Sequence, residues 1–109
     1  MNAWEELNNA LSKGERLEAV VFGHWGWDGF DEPEPPIVPN WSMGVVMKPE
    51  EARPYMEKYS IKGGFGAAMT YAMYAYSNTR IYWVAEYDGS TALKHAPRNP
   101  TNGIFPQMS

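Results

Sequence analysis

His24, Trp25 and Trp27 fall in one short run, Gly23-His24-Trp25-Gly26-Trp27-Asp28-Gly29-Phe30, in which large aromatic rings alternate with glycines. Glycine lets a backbone turn tightly or approach a ligand closely, and an indole supplies a flat face with one N–H donor. The chemistry on offer is stacking: Trp25 and Trp27 could hold a planar ligand such as a nucleobase. The alternative is a small second core, with both rings plugged beneath the proline-rich stretch that follows. His24 is one of only two histidines, so a multi-histidine metal centre cannot be built. A mixed site with Asp28, Asp31 or Glu86 is the only metal arrangement left, and no nucleophile stands at a telling distance from His24. The expectation is therefore no catalytic residue, no metal and no cofactor, with a small hydrolase using His24 as the least supported reading.

Three further segments carry polar chemistry. Lys62-Gly63-Gly64-Phe65-Gly66 could fold its backbone N–H groups into an anion nest with Lys62 beside it. It lacks the Gly-Lys-Ser/Thr of a P-loop and the glycine spacing of a dinucleotide fingerprint, and a tight turn where helix passes close to sheet is the simpler reading. Arg98 and Asn99 stand between Pro97 and Pro100, where a stiff loop would present a guanidinium fork to phosphate or carboxylate. The alternative is an Arg98 that ties down the C-terminal tail or pairs with the acidic run. Asp31, Glu32 and Glu34, broken by prolines, form either a solvated loop or an acidic contact surface for a basic protein groove.

Composition limits the classes. The chain has 109 residues, 44% hydrophobic and 15% aromatic, which predicts one domain (1–109) with a single modest core. A net charge of −4 and a pI near 5.1 argue against a general binder of nucleic-acid backbone. There is no cysteine, which excludes disulfides, thiol catalysis and thiolate-bound zinc. The N-terminus lacks a basic segment followed by an apolar run, and no apolar stretch is long enough to span a membrane. A cytoplasmic domain without membrane contact is expected.

The elements that must position these residues read as α+β. Asn2 and Glu5 have capping-box spacing, and Trp4, Leu7 and Leu11 recur at helical intervals, with Lys13-Gly14 as the stop. Arg16 to Phe22 reads as a strand, Leu17, Ala19 and Val21 on one face and Glu18, Val20 and Phe22 on the other. Residues 28–40 are a surface excursion, and Met43 to Met47 a short strand. Pro49 opens a helix that Pro54 should interrupt. Residues 67–76 fit a helix through Phe65, Met69, Met73 and Tyr76, or a strand through Met69, Tyr71, Met73 and Ala75. The strand is preferred because Arg80 to Tyr87, Asp88-Gly89 and Thr91 to His95 read as a hairpin. The expected fold is a C-terminal three-stranded antiparallel meander packed with an N-terminal helix and a short proline-broken helix.

The succession Phe22-Gly23-His24-Trp25-Gly26-Trp27, Glu51-Ala52-Arg53-Pro54-Tyr55-Met56, Gly63-Gly64-Phe65-Gly66-Ala67, Glu86-Tyr87-Asp88-Gly89-Ser90-Thr91 and Pro97-Arg98-Asn99-Pro100 resembles small proteins of phages and prophages without an assigned activity. The resemblance covers nearly the whole chain and supplies no catalytic residue. It implies a phage accessory role, such as countering host defence, by association rather than mechanism. Two functions then follow. The first is sequestration of a nucleotide-derived signal, Trp25 and Trp27 stacking the base while Lys62, Gly63, Gly64, Phe65, Arg98 and Asn99 hold the anionic part. A domain this small would do so as a homo-oligomer. The second is direct inhibition of a host defence effector or nuclease through Asp31, Glu32 and Glu34. The first requires the tryptophan, glycine and arginine segments to converge.

Overall fold

A computed structural model describes residues 1–26, 32–62, 70–87 and 90–99. Two helices pack on one face of a four-stranded antiparallel sheet, so the α+β class is as expected, with one strand more than the predicted meander. Helix α1 (Ala3–Ala10) begins where the capping box places it: Glu5 N–H donates to Asn2 Oδ1 at 2.9 Å and Asn2 N–H to Glu5 Oε1 at 3.0 Å. Leu7 is fully buried, with Trp4 and Leu11 at the edge of the core. The helix does not run on to Lys13-Gly14. Leu11 turns extended to pack on the core, and its N–H closes the last turn on Asn8 O. Gly14, at φ +83°, serves a separate turn instead.

Strand β1 (Leu17–Trp25) is longer than its sequence pattern suggested, taking Gly23, His24 and Trp25 out of the expected loop. It lies beside β2 (Tyr71–Ser77), which settles 71–77 as strand; β3 (Arg80–Tyr87) and β4 (Ser90–Pro97) complete the order β1-β2-β3-β4. The β3–β4 hairpin keeps perfect register from Arg80↔Pro97 to Tyr87↔Ser90, so two residues separate the strands as an Asp-Gly turn predicts. The expected strand at 43–47 does not form. After a single 3-10 turn (Asn40–Ser42), only Met47 bridges to Val20, and Gly44 N–H donates to Phe22 O. This segment therefore borders the β1 edge without becoming a fifth strand.

Helix α2 (Pro49–Met56) starts with Pro49 in its first turn, and Lys48 N–H donates to Glu51 Oε1 at 3.0 Å. It runs through Pro54 and ends two residues later, so the proline shortens the helix rather than dividing it. Both helices cover the sheet face bearing Val20, Phe22, Met73, Ala75 and Tyr82, all essentially buried with Leu7, Ala52 and Met56. No described helix is long and apolar enough to cross a membrane.

Candidate functional site

The two phases of each strand set the site. On the helix-covered face Val20 pairs with Ala75, Ala75 with Tyr82 and Tyr82 with His95. On the other face one row runs Val21–Tyr74–Trp83–Lys94 and the next Ala19–Tyr76–Ile81–Ala96. Antiparallel sheets normally alternate apolar-in and polar-out. Here the outer rows are also apolar, Lys94 being the one charge in them, and no described element covers them. Tyr74 is 55% exposed. A groove of about 500 Å³ opens on this face between Tyr74 and Trp83 on one side and Met43 and Gly44 on the other. Its floor is low because Gly23 faces Ala72 so closely that a Cβ on Gly23 would meet the Ala72 Cβ at 3.0 Å. Beside the groove the 41–46 segment raises three exposed apolar side chains, Trp41 (77%), Val45 and Val46 (71%).

Trp25 is not on this face. A register shift between Phe22 and Trp25 turns the indole into the helix-covered core, where it is 5% exposed. Tyr71 and Tyr59 meet it edge-on at 4.9 and 6.5 Å between ring centroids. Among the described residues its Nε1 has no hydrogen-bond partner, nor does the buried Tyr59 hydroxyl. Burial, with the Tyr71 and Glu6 charges adding to it, pushes the Tyr59 phenol far up, so it stays neutral at any physiological pH. In this position Trp25 serves the core and presents no open ring face for stacking.

Lys62 follows Ile61 near the start of β4: its N–H and that of Ile61 donate to the two carboxylate oxygens of Glu6, at 2.7 and 3.1 Å. Thr91 Oγ1 donates to Ile61 O. Arg98 lies at the opposite end of the sheet, its guanidinium bonded to Glu18 and donating to Ser77 O at 2.9 Å. Tyr71 and Ser77 bound β2, so these two ends are about 20 Å apart at the usual strand rise. The geometry thus separates Arg98 and the exposed Asn99 from Trp25 and Lys62. Trp27, Gly63, Gly64, Phe65 and Asp31 lie outside the described residues.

The acidic run divides. Glu34 is exposed, but Glu32 is half-buried and accepts from the Tyr71 hydroxyl at 3.1 Å. Tyr71 Oη in turn accepts from Ile37 and Val38 N–H at 3.0 and 3.2 Å, so Tyr71 and Glu32 together pin the proline-rich segment to the sheet. His24 is exposed at the groove, and no described residue hydrogen-bonds to it. No group of three histidine or carboxylate side chains able to hold a metal occurs among the described residues.

The outer face was readable yet unread. Tyr71-Met73-Ala75 and Ala72-Tyr74-Tyr76 are both apolar phases of one strand, and Ile81-Trp83-Ala85 repeats this in the next. Comparison of the chain with protein-family models, curated proteins and solved structures returns no match.

Proposed function

We propose that this chain is a non-catalytic protein-binding module that inhibits a partner protein by docking it on the outer face of the sheet. The observation that carries this reading is the Val21–Tyr74–Trp83 row, apolar and uncovered by any described element, with Tyr74 exposed and Val21 and Trp83 half-buried. Large exposed apolar patches mark interaction sites, and aromatic anchors dominate their energetics. Four strands at normal spacing give a face of about 20 by 20 Å. That is roughly half of what a standard interface covers on each partner, so the partner also reaches the Trp41–Val46 ridge. A host defence effector or nuclease is the partner class that the phage resemblance suggests. Its contact would be apolar at the centre, and basic at the rim to match a chain of net charge −4.

Capture from bacterial lysate tests the reading when run with wild-type protein and Tyr74→Arg in parallel. A stoichiometric protein retained by the first and lost by the second, at equal circular dichroism, supports it. Retention by both, or no protein partner together with micromolar binding of a nucleotide by calorimetry, overturns it; the latter would favour sequestration of a nucleotide-derived signal.

A further inference from the structure

The geometry points to a binding site for a phosphoryl-type oxyanion at the end of the sheet remote from Trp25, in the cleft between the Ser12–Gly14 turn and the Asn78–Arg80 turn. This cleft, of about 380 Å³, is lined by Ser12, Lys13, Gly14, Asn78, Thr79 and Arg80, with Glu15 and Pro97 behind them. It shares no residue with the protein-docking face and stands whichever partner that face takes.

The argument is an accounting of donors and acceptors. The Glu15 carboxylate, Asn78 Oδ1, Ser12 O and Thr79 O are consumed internally. Glu15 Oε1 accepts from Ser12 N–H at 2.8 Å and Tyr82 Oη at 2.9 Å, while Oε2 accepts from Ser77 Oγ and Tyr82 Oη. Asn78 Oδ1 accepts from Arg16 N–H at 3.0 Å, Ser12 O from Glu15 N–H at 3.0 Å and Thr79 O from Arg98 N–H at 2.9 Å. The donors are not consumed. Among the described residues nothing accepts from Lys13 Nζ, Asn78 Nδ2, Ser12 Oγ or Thr79 Oγ1. Arg80 spends only Nη1, at 3.5 Å from Tyr82 Oη and 3.8 Å from Glu15. Lys13 Nζ, Asn78 Nδ2 and the remaining Arg80 nitrogens can only donate, so the open side of the cleft suits an anion.

Charge agrees with this. Lys13 and Arg80 line the cleft with Glu15 the one acid among its described lining, in a chain with nine cations against thirteen acids. Glu15 is held back from the opening: its side chain is 2% exposed, it accepts from Ser12, Ser77 and Tyr82, and Arg80 stands 3.8 Å away as its counter-charge. No aromatic ring is among the described residues that line the cleft, so these residues read the oxyanion itself and not a base.

The test is a titration with inorganic phosphate followed by backbone amide NMR shifts, against sodium chloride at matched ionic strength. Saturable shifts confined to residues 12–14 and 78–80 are expected. Asn78→Asp keeps Oδ1 for Arg16 and removes the amide donor, and Lys13→Gln alters an exposed side chain alone; each should weaken binding about fivefold, the worth of roughly one kcal/mol of charge-assisted hydrogen bonding. Absence of saturation, equal shifts with chloride, or unchanged affinity in Lys13→Gln would overturn the assignment.

Discussion

Glu15 and Tyr82, far apart in sequence, are joined by both carboxylate oxygens of the first accepting from the phenol of the second, at 2.9 and 2.8 Å. This contact ties the turn between α1 and β1 to the middle of β3. Burial works against the Glu15 carboxylate, but hydrogen bonds from Ser77, Ser12 and Tyr82, with Arg80 nearby, outweigh it and hold its pKa below the usual 4.5. The same burial and the Glu15 charge push the Tyr82 phenol up despite the opposing Arg80 contact.

A lowered folded-state pKa means that Glu15 stabilises the fold fully above about 4.5 and loses that contribution as pH falls through its folded value. Glu15→Gln should cost about 1–3 kcal/mol at pH 7, read by urea denaturation. The gap between variant and wild type should narrow at pH 3. An equal gap at both values would remove the carboxylate from the stability account.

Tyr71→Phe should also be expensive. It deletes the oxygen that accepts from Ile37 and Val38 N–H and donates to Glu32, leaving the buried Val38 amide unpaired. A loss of about 1–3 kcal/mol follows, with faster amide exchange at Ile37 and Val38. Exchange unchanged there would show that other contacts hold the segment.

Gly23→Ala places a methyl 3.0 Å from the Ala72 Cβ. We expect destabilisation of about 1 kcal/mol or more from overpacking, recovered in the double variant Gly23→Ala/Ala72→Gly beyond what the single effects add to. Strict additivity in thermal melts would mean that the strands simply shift apart.

Asn2→Ala removes the acceptor for Glu5 N–H and half of the capping box. A loss of about 1 kcal/mol is expected, together with reduced helical signal, and Asn2→Asp should retain most of the stability.

Local features were the legible ones. The capping box at Asn2, Pro49 at a helix start and the Asp88-Gly89 hairpin depend on near neighbours in sequence, and the elements stand where these signals put them. The position of β1 beside β2 depends on pairing across some fifty residues, and the burial of Trp25 on a register shift that no local pattern announces. Trp25 therefore looked like loop and is core. The apolar outer face had a signal all along. The residues that made 67–76 ambiguous between helix and strand did so because both strand phases are apolar, which is the mark of a sheet with two faces to cover.

The docking face itself is tested most directly by hydroxyl-radical footprinting of the protein alone and in complex with its captured partner. The account predicts strong protection of Tyr74, Trp83 and Trp41 in the complex, with Glu34 and the Lys13–Arg80 cleft reacting as before. Unchanged reactivity at Tyr74 and Trp83, with protection elsewhere, would contradict it.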